Sequence, residues 1–320
     1  MKLQLFTAVS VLTTSTLCAY GQEVGVTAAP APAETNAPES TIASNLSGGY
    51  VHFFDASFGS GTTGTVSENR LYASYKFGGD LNEDANWGLG FNYTGAWYNF
   101  SGATPLDPAP GVEPWGAVTS LMISPALDVK INERWNAFGR VFVDFSGESN
   151  ADAWNSTTGG GAIGASYSFN KDLTLGLGVL GASQIEDNAL VIPLLIVNWK
   201  ISDALRVTNV AGPSAYPTSN GLEIVWRMNE KFELSFGGRW ELDRFRLDDD
   251  ATNPNGVGQD QGLPIWIRGT FFATKNARID LLGGVRIGSE FNLYDQNGNG
   301  LTSSDVDAQP FLGVFASFAF

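Results

Sequence analysis

The stretch Phe232 to Asp243 reads FELSFGGRWELD, and its residues alternate between two chemical classes. Even-numbered positions are almost all large and apolar, whereas odd-numbered positions carry glutamate, arginine and aspartate. Successive residues of a β-strand point to opposite faces of the sheet, so this period of two predicts a strand with one apolar face and one ionic face. Trp87 to Asn99 and Ile279 to Gly288 repeat the alternation.

Connections between such segments fall into two lengths. The short ones are Asn132–Arg134, Asn170–Asp172, Ser202–Asp203, Asn229–Lys231 and Lys275–Asn276, all of them polar turn sequences. The long ones are Gly59–Asn69, Ser101–Pro114, Gly147–Thr158, Gly212–Asn220, Asp248–Gly262 and Glu290–Asp307. Transmembrane barrels have this asymmetry, with short periplasmic turns and longer outer loops.

These observations predict an all-β fold, an antiparallel up-and-down transmembrane β-barrel of about 14 strands. The count is even, as it must be for a chain whose two ends lie on the same side of the membrane, and 12 or 16 strands fit the pattern too. A soluble exported β-sandwich with a binding function is the remaining fold alternative, although it does not explain the two lengths of connection.

Aromatic residues cluster near the ends of the predicted strands. Those beside short turns are Trp87, Trp135, Trp199 and Phe232, and those nearer long connections are Trp97, Trp115 and Phe145. Barrels in membranes carry aromatic girdles at both interfaces, so the sequence predicts two such girdles.

The chain divides into three predicted parts. Residues 1–21 have a basic start, an apolar stretch and a small residue at either side of Tyr20, which predicts a signal peptide. Residues 22–45 are rich in proline and alanine and poor in large apolar side chains, which predicts a flexible periplasmic tail. Residues 46–320 form the predicted barrel.

Composition excludes several classes of function. The net charge of −15 and pI near 4.4 argue against nucleic acid as a partner, because phosphate binding needs clustered lysine and arginine. His52 is the single histidine, and no Ser-x-Gly elbow or carboxylate pair accompanies it, so we expect no catalytic residues and no enzyme. A zinc site is excluded because the chain has no cysteine–histidine cluster.

The polar faces of the predicted strands in the C-terminal half carry many charges. An arginine on the lipid face at the bilayer midplane destabilises a barrel by about 2–4 kcal/mol, so we expect these charged residues to line the lumen. They are Arg227, Arg239, Arg268, Arg286, Glu223, Glu233, Glu241, Asp243 and Asp280.

Two interpretations of these lumen charges stay open. They create a charged constriction in a water-filled passage, or they form an ion-pair network that fills the interior. Small residues predicted on the opposite wall, such as Gly88, Gly90, Ala96, Gly176 and Gly178, favour the open passage.

One outer loop resembles a calcium-binding loop. Asp295, Asn297 and Asn299 place oxygen atoms at alternate positions, and Gly300 follows at the turn. Val306 occupies the position where such loops carry a bidentate glutamate, so Asp305 beside it is the candidate replacement. We therefore expect no cofactor; calcium is the one exception that the sequence leaves open, and asparagine-glycine repeats are also common in plain turns.

Several motifs resemble known proteins of the outer membrane. The last residues alternate and end on Phe318 and Phe320, like the C-terminal signal that barrel-insertion machinery reads. In the final third, segments resemble an uncharacterised family of exported porin-like barrels with no established substrate. These segments are Trp226–Lys231, Phe245–Asp250, Leu263–Trp266 and Pro310–Gly313. The resemblance implies a Gram-negative outer-membrane location and contact with membrane lipid, and it leaves the oligomeric state open.

Two functions compatible with this architecture stay open. The first is a porin-like passive channel for small hydrophilic solutes, with the charged residues along its lumen wall. The second is an occluded structural or adhesive barrel that acts through acidic outer loops such as Asp248–Asp250.

Overall fold

The computed structural model describes residues 42–59, 63–107, 111–209 and 221–320, and the predicted signal peptide and most of the predicted tail lie outside them. The strands are β1 Ala43–Ser57, β2 Thr65–Asn82, β3 Ala85–Ser101, β4 Ala117–Lys130, β5 Trp135–Glu148, β6 Thr157–Asn170, β7 Leu173–Gln184, β8 Asp187–Lys200, β9 Leu205–Asn209, β10 Leu222–Arg227, β11 Phe232–Gly238, β12 Glu241–Arg246, β13 Val257–Phe272, β14 Ala277–Tyr294, β15 Gly300–Val306 and β16 Gln309–Ala319. Across these ranges, no helix has the length and hydropathy needed to cross a bilayer.

The strands form one closed antiparallel barrel. Most strands pair with their neighbours along the chain, and β1 pairs with β16 to close the sheet. β11 and β12 pair with successive parts of β13, and β15 and β16 with successive parts of β14. Each of these two pairs is one interrupted strand, so the barrel has fourteen strands. The predicted all-β fold and strand number are confirmed.

The outer surface of the barrel is apolar. The exposed aliphatic and aromatic side chains include Leu46, Leu71, Phe91, Leu121, Ile123, Val141, Val143, Ile163, Leu177, Val191, Ile267, Leu281 and Leu312. Hydrocarbon accepts a sheet only when every backbone amide is paired, which a closed barrel achieves. The barrel therefore belongs in the outer membrane, as predicted.

Aromatic side chains border this surface, with one exception. Trp135, Trp199 and Phe232 are exposed at the ends of strands beside short turns, and Trp97 is exposed nearer the outer side. Trp115 is only 3% exposed, because it packs inside the barrel. Its assignment to a girdle was wrong, since position near a long connection does not reveal which face a residue takes.

The outer side differs from the prediction in the lengths of its strands. β14 and β15 form a hairpin through most of the predicted loop 290–307, and β13 starts at Val257 within the predicted loop 248–262. These residues extend beyond the apolar belt. They need no lipid-facing side chains there, so their sequence lacks the alternation of apolar and polar residues by which strands were predicted. The β7–β8 connection also lies on the outer side but spans only Ile185 and Glu186, the latter with a φ of 48°.

Aromatic rings of β5 inside the barrel lie against glycines of β6 and β7. A Cβ atom on Gly160 would lie 2.6 Å from the Phe142 ring, and one on Gly178 would lie 3.2 Å from the Phe138 ring. Part of the open volume predicted beside the lumen-side glycines is therefore filled. Glycines on β6 and β7 make room for large rings on β5, which sequence composition alone does not show.

Replacing Gly164 with alanine should lower the free energy of unfolding by about 1–3 kcal/mol, as overpacking of a well-packed site does. The new Cβ would lie 2.5 Å from the Phe138 ring and 2.8 Å from the Leu177 carbonyl oxygen. Gly139→Ala is the matched control, because no atom lies within 4 Å of its Cβ position. Urea unfolding in detergent micelles measures the free energy of unfolding of both variants. Equal values would contradict the packing of Phe138 against Gly164.

Candidate functional site in the lumen

The outer end of the lumen contains a packed aromatic group, which we call the outer plug. It comprises Tyr98, Phe100, Trp115, Phe245 and Phe291 with smaller apolar residues around them. The Trp115 ring lies 5.5 Å from Phe100 and 5.4 Å from Phe245, centroid to centroid. These contacts close the outer mouth on the side formed by β1–β4 and β12–β15.

The long connection after β3 contributes to the outer plug. Leu106 of this connection is fully buried in the plug, and the Thr302 hydroxyl of β15 donates a 3.0 Å hydrogen bond to the Pro105 carbonyl. This part of the connection therefore folds inward over the lumen.

Below the outer plug lies a group of ion pairs, the upper charge cluster, with Arg70 at its centre. Arg70 donates from Nη1 to Asp243 and from Nη2 to Asp260, each at 2.8 Å, and it also contacts Glu68 and Glu241. The arginine is 3% exposed, and Asp260 and Glu68 are fully buried. Charges withdrawn from water are tolerated when they are paired and hydrogen-bonded in this way.

Two further arginines complete the upper charge cluster. Arg286 pairs with Asp260 and lies 3.5 Å from Glu68, and Arg239 donates from Nε to Glu241 at 2.7 Å. The cluster thus holds three arginines and four carboxylates, which leaves one carboxylate in excess. The residues come from β2, from β12 with the preceding Arg239, from β13 and from β14, so closure of the barrel brings them together.

A lower charge cluster lies nearer the periplasmic side. Arg268 pairs with Glu223 and lies 3.7 Å from Asp280. Glu223 also accepts a 2.6 Å hydrogen bond from the Trp266 indole, and Asp280 accepts one of 2.5 Å from Thr270. All five side chains are buried, so these predicted lumen residues face each other rather than open water.

Glu233 forms the third group near the periplasmic turns. Arg206 donates two 2.8 Å hydrogen bonds to its carboxylate, and Arg227 donates one of 3.3 Å. The Arg227 side chain is 59% exposed. The nine predicted lumen residues therefore divide into three groups at different depths and do not form a single ring.

Sequence reasoning missed four residues of this interior. Glu68 and Asp260 fell within predicted loops, whereas the structure places them in β2 and β13. Arg70 and Asp144 lie in predicted strands and were not singled out. The sequence pattern could have identified Arg70 and Asp144 as lumen residues. Each is an ionic residue on the strand face opposite to exposed apolar neighbours such as Leu71 and Val143.

A cavity of about 130 Å³ lies beside the upper charge cluster. On one side it is bounded by the segment 239–245, which includes most of β12. On the other side lie inward residues of β3 to β8, among them Phe142, Asp144 and Ile192. β12 reaches across the barrel here, since Arg246 bridges to Gly147 of β5.

Two arginines hold this segment against the short β7–β8 turn. Arg244 donates from Nε to the Ile185 carbonyl at 2.6 Å, and its guanidinium lies 4.2 Å above the Tyr294 ring. Arg246 donates from Nη2 to Glu186 at 2.6 Å. These contacts fix the position of β12 at the outer mouth of the cavity.

The predicted calcium residues do not form one cluster. Asp295 accepts hydrogen bonds from the Asn299 side chain at 2.8 Å and from the backbone amides of Asn297 and Asn299, which together hold its pKa below the usual range. Asp305 lies further along the hairpin on β15, opposite Glu290. The first three residues therefore form a tight turn, and calcium binding stays an untested prediction.

The acidic outer loop Asp248–Asp250 brings three carboxylates together. Among the described residues, they are the one acidic group close enough to hold an ion. Asp248 also accepts a hydrogen bond from Asn150 at 3.0 Å. Phe318 and Phe320 are 45% and 72% exposed, on the side of β16 that faces lipid and at its end.

A family model described as a domain of unknown function, DUF6268, matches residues 123–317, which is more than half of the chain. The chain belongs to this family. The DUF6268 match extends from β4 to β16 and contains the lower charge cluster, the segment 239–245 and most of the cavity wall. It confirms the predicted membership of an uncharacterised family and extends it well beyond the final third.

Comparisons outside DUF6268 concern the fold alone. No curated protein matches the sequence. Solved structures similar to this barrel include an outer membrane channel from Pseudomonas putida F1, with 11% identity, coverage of 90% of this chain and 100% of that chain, and a TM-score of 0.47. A FadL homologue from Pseudomonas aeruginosa has 11% identity, coverage of 88% and 90%, and a TM-score of 0.48. The P. putida toluene transporter TodX has 10% identity, coverage of 88% of this chain and 90% of that chain, and a TM-score of 0.43.

Proposed function

We propose that this DUF6268 barrel is a passive channel for small hydrophilic solutes, with a narrow path that runs past the charged wall of the lumen. The cavity between the segment 239–245 and the inner face of β3–β8 is the observation that carries the proposal. Ion pairs and the outer plug fill the opposite side of the interior. We propose that the two sequence-based interpretations combine, with ion pairs packed on one side of the interior and the solute path on the side of the cavity.

Polar side chains below the cavity support a hydrated path. Ser74, Asn92 and Ser124 point inward from β2, β3 and β4, and each is at most 5% exposed. Their side-chain polar atoms have no hydrogen-bond partner among the residues that the structure describes. Buried polar groups of this kind are normally satisfied by ordered water, so a solute passing here would exchange hydrogen bonds with a wet wall.

An occluded structural or adhesive barrel is the second candidate. The outer plug favours it, because a packed aromatic group closes much of the outer mouth. Conductance separates the two candidates, since an occluded barrel passes no ions.

We expect the purified protein to give small, discrete conductance steps in planar lipid bilayers. Ala182 lines the cavity and is 8% exposed, so Ala182→Trp should reduce the step size by filling the path. Ala73→Trp is the matched control, because Ala73 is exposed on the outer face of β2. Absence of steps from folded wild-type protein would support the occluded barrel, and equal steps from both variants would argue against a path through this cavity.

A further inference from the structure

We infer that the cavity binds small organic cations with an apolar body, such as primary ammonium compounds that carry a ring or a short aliphatic chain. The inference rests on the proposed channel function and names the class of solute that this cavity selects. Three observations support it: a carboxylate without a cationic partner, arginines already committed to other groups, and an apolar wall beside them.

Asp144 is the carboxylate that lacks a cation. It lies on the inward face of β5, lines the cavity and is only 6% exposed. Within the described parts of the chain, its partner is the Ser120 hydroxyl, which donates a hydrogen bond of 2.9 Å. A buried carboxylate with one neutral donor keeps capacity to accept further hydrogen bonds, and a protonated amine is the donor that also offsets its charge.

Asp243 provides a second acceptor in the same cavity. It accepts a hydrogen bond from Arg70, yet 47% of its side chain is exposed. The cavity lining carries three arginines, Arg70, Arg239 and Arg244, and three carboxylates, Asp144, Glu241 and Asp243. Its formal charges cancel, but no arginine among the described residues pairs with Asp144, so a cation at this end of the cavity would meet an acidic group that is not yet neutralised.

The arginines that line the cavity do not favour an anion instead. Arg70 contacts four carboxylates, and Arg239 pairs with Glu241. Arg244 donates to the Ile185 carbonyl and to Gln259, and it covers the Tyr294 ring. An anionic solute would have to break these contacts, whereas a cation meets carboxylate oxygens with spare capacity.

The remaining wall of the cavity suits an apolar body. Phe142, Ala182, Leu190 and Ile192 line the side formed by β5, β7 and β8. The Phe142 ring adds a surface that attracts cations through its π electrons. Charge recognition at one end and apolar contact at the other would select amphipathic ammonium compounds over simple metal ions.

Binding of benzylammonium to the detergent-solubilised full-length barrel tests the inference, measured by isothermal titration calorimetry. Benzyl alcohol and benzoate are the neutral and anionic controls of similar shape, and both should bind at least about tenfold more weakly. Asp144→Asn should weaken benzylammonium binding by about tenfold or more. Asp128→Asn is the matched control, because Asp128 faces inward on β4 but does not line the cavity.

A second variant keeps the test decisive if Asp144→Asn does not fold. Ile192→Trp changes no charge and fills the apolar side of the cavity, so it should also abolish binding. Wild-type protein that conducts but binds benzoate as well as benzylammonium would overturn the inference and leave the channel standing. Wild-type protein that binds benzylammonium but never conducts would support the cation site and overturn the channel.

Discussion

Replacing Arg70 with methionine is expected to lower the free energy of unfolding by about 3–5 kcal/mol, the usual result when one partner of a buried ion pair is removed. Arg70 contacts Glu68, Glu241, Asp243 and Asp260, and its side chain is 3% exposed. Methionine retains much of the side-chain volume. It leaves the four carboxylates of the upper charge cluster with only two arginines, Arg239 and Arg286. The excess negative charge, rather than a void, is the source of the loss.

Arg227→Met is the matched control for this measurement. Arg227 also pairs with a glutamate, Glu233, but its side chain is 59% exposed, so its loss should cost about 0–1 kcal/mol. Urea unfolding in detergent micelles, followed by circular dichroism, gives both values. A double variant, Arg70→Met with Asp243→Asn, should recover part of the stability because it removes one of the uncompensated charges. Equal stability of the two single variants would contradict a structural role for the upper charge cluster.

Replacing Phe245 with alanine is expected to have two effects. Phe245 is fully buried in the outer plug, where its ring lies 5.4 Å from Trp115 and 6.2 Å from Tyr98. Loss of a buried phenylalanine ring costs about 3–5 kcal/mol. Because Phe245 also lines the cavity, the same change should widen the path and increase the conductance step.

Trp154→Ala provides the comparison for Phe245→Ala. Trp154 lies in an outer connection and is 85% exposed, so its removal should change stability by no more than about 0.5 kcal/mol and leave conductance unaltered. Unfolding curves and bilayer recordings are made on the same preparations. A Phe245→Ala protein with wild-type conductance would show that the outer plug does not border the path.

The positions of the strands were predictable, and the contents of the lumen were not. Alternation in segments such as Phe232 to Asp243 reflects lipid on one side of the wall and protein on the other, and each residue experiences that difference locally. The predicted strands match the observed ones closely within the membrane and fail above it, as in the β14–β15 hairpin. Beyond the apolar belt there is no lipid to impose the pattern.

Residues in the interior depend on partners that are distant in sequence. Arg70 and Asp260 pair across 190 positions, and Tyr98 donates to Asp260 across 162. The sequence showed that Arg239, Arg268 and Arg286 share the ionic faces of their strands, but it did not show which carboxylate each one meets.

By itself, then, the sequence determined the class of fold, the closed apolar exterior and the membership of an uncharacterised family. It did so because side-chain alternation and connection length are local properties of each strand. Tertiary structure alone decided that Trp115 and Leu106 pack inside the outer mouth, that β12 crosses toward β5, and that Asp144 borders a cavity without a cationic partner among the described residues. Those features follow from barrel closure and strand register, which bring together side chains that no local pattern connects.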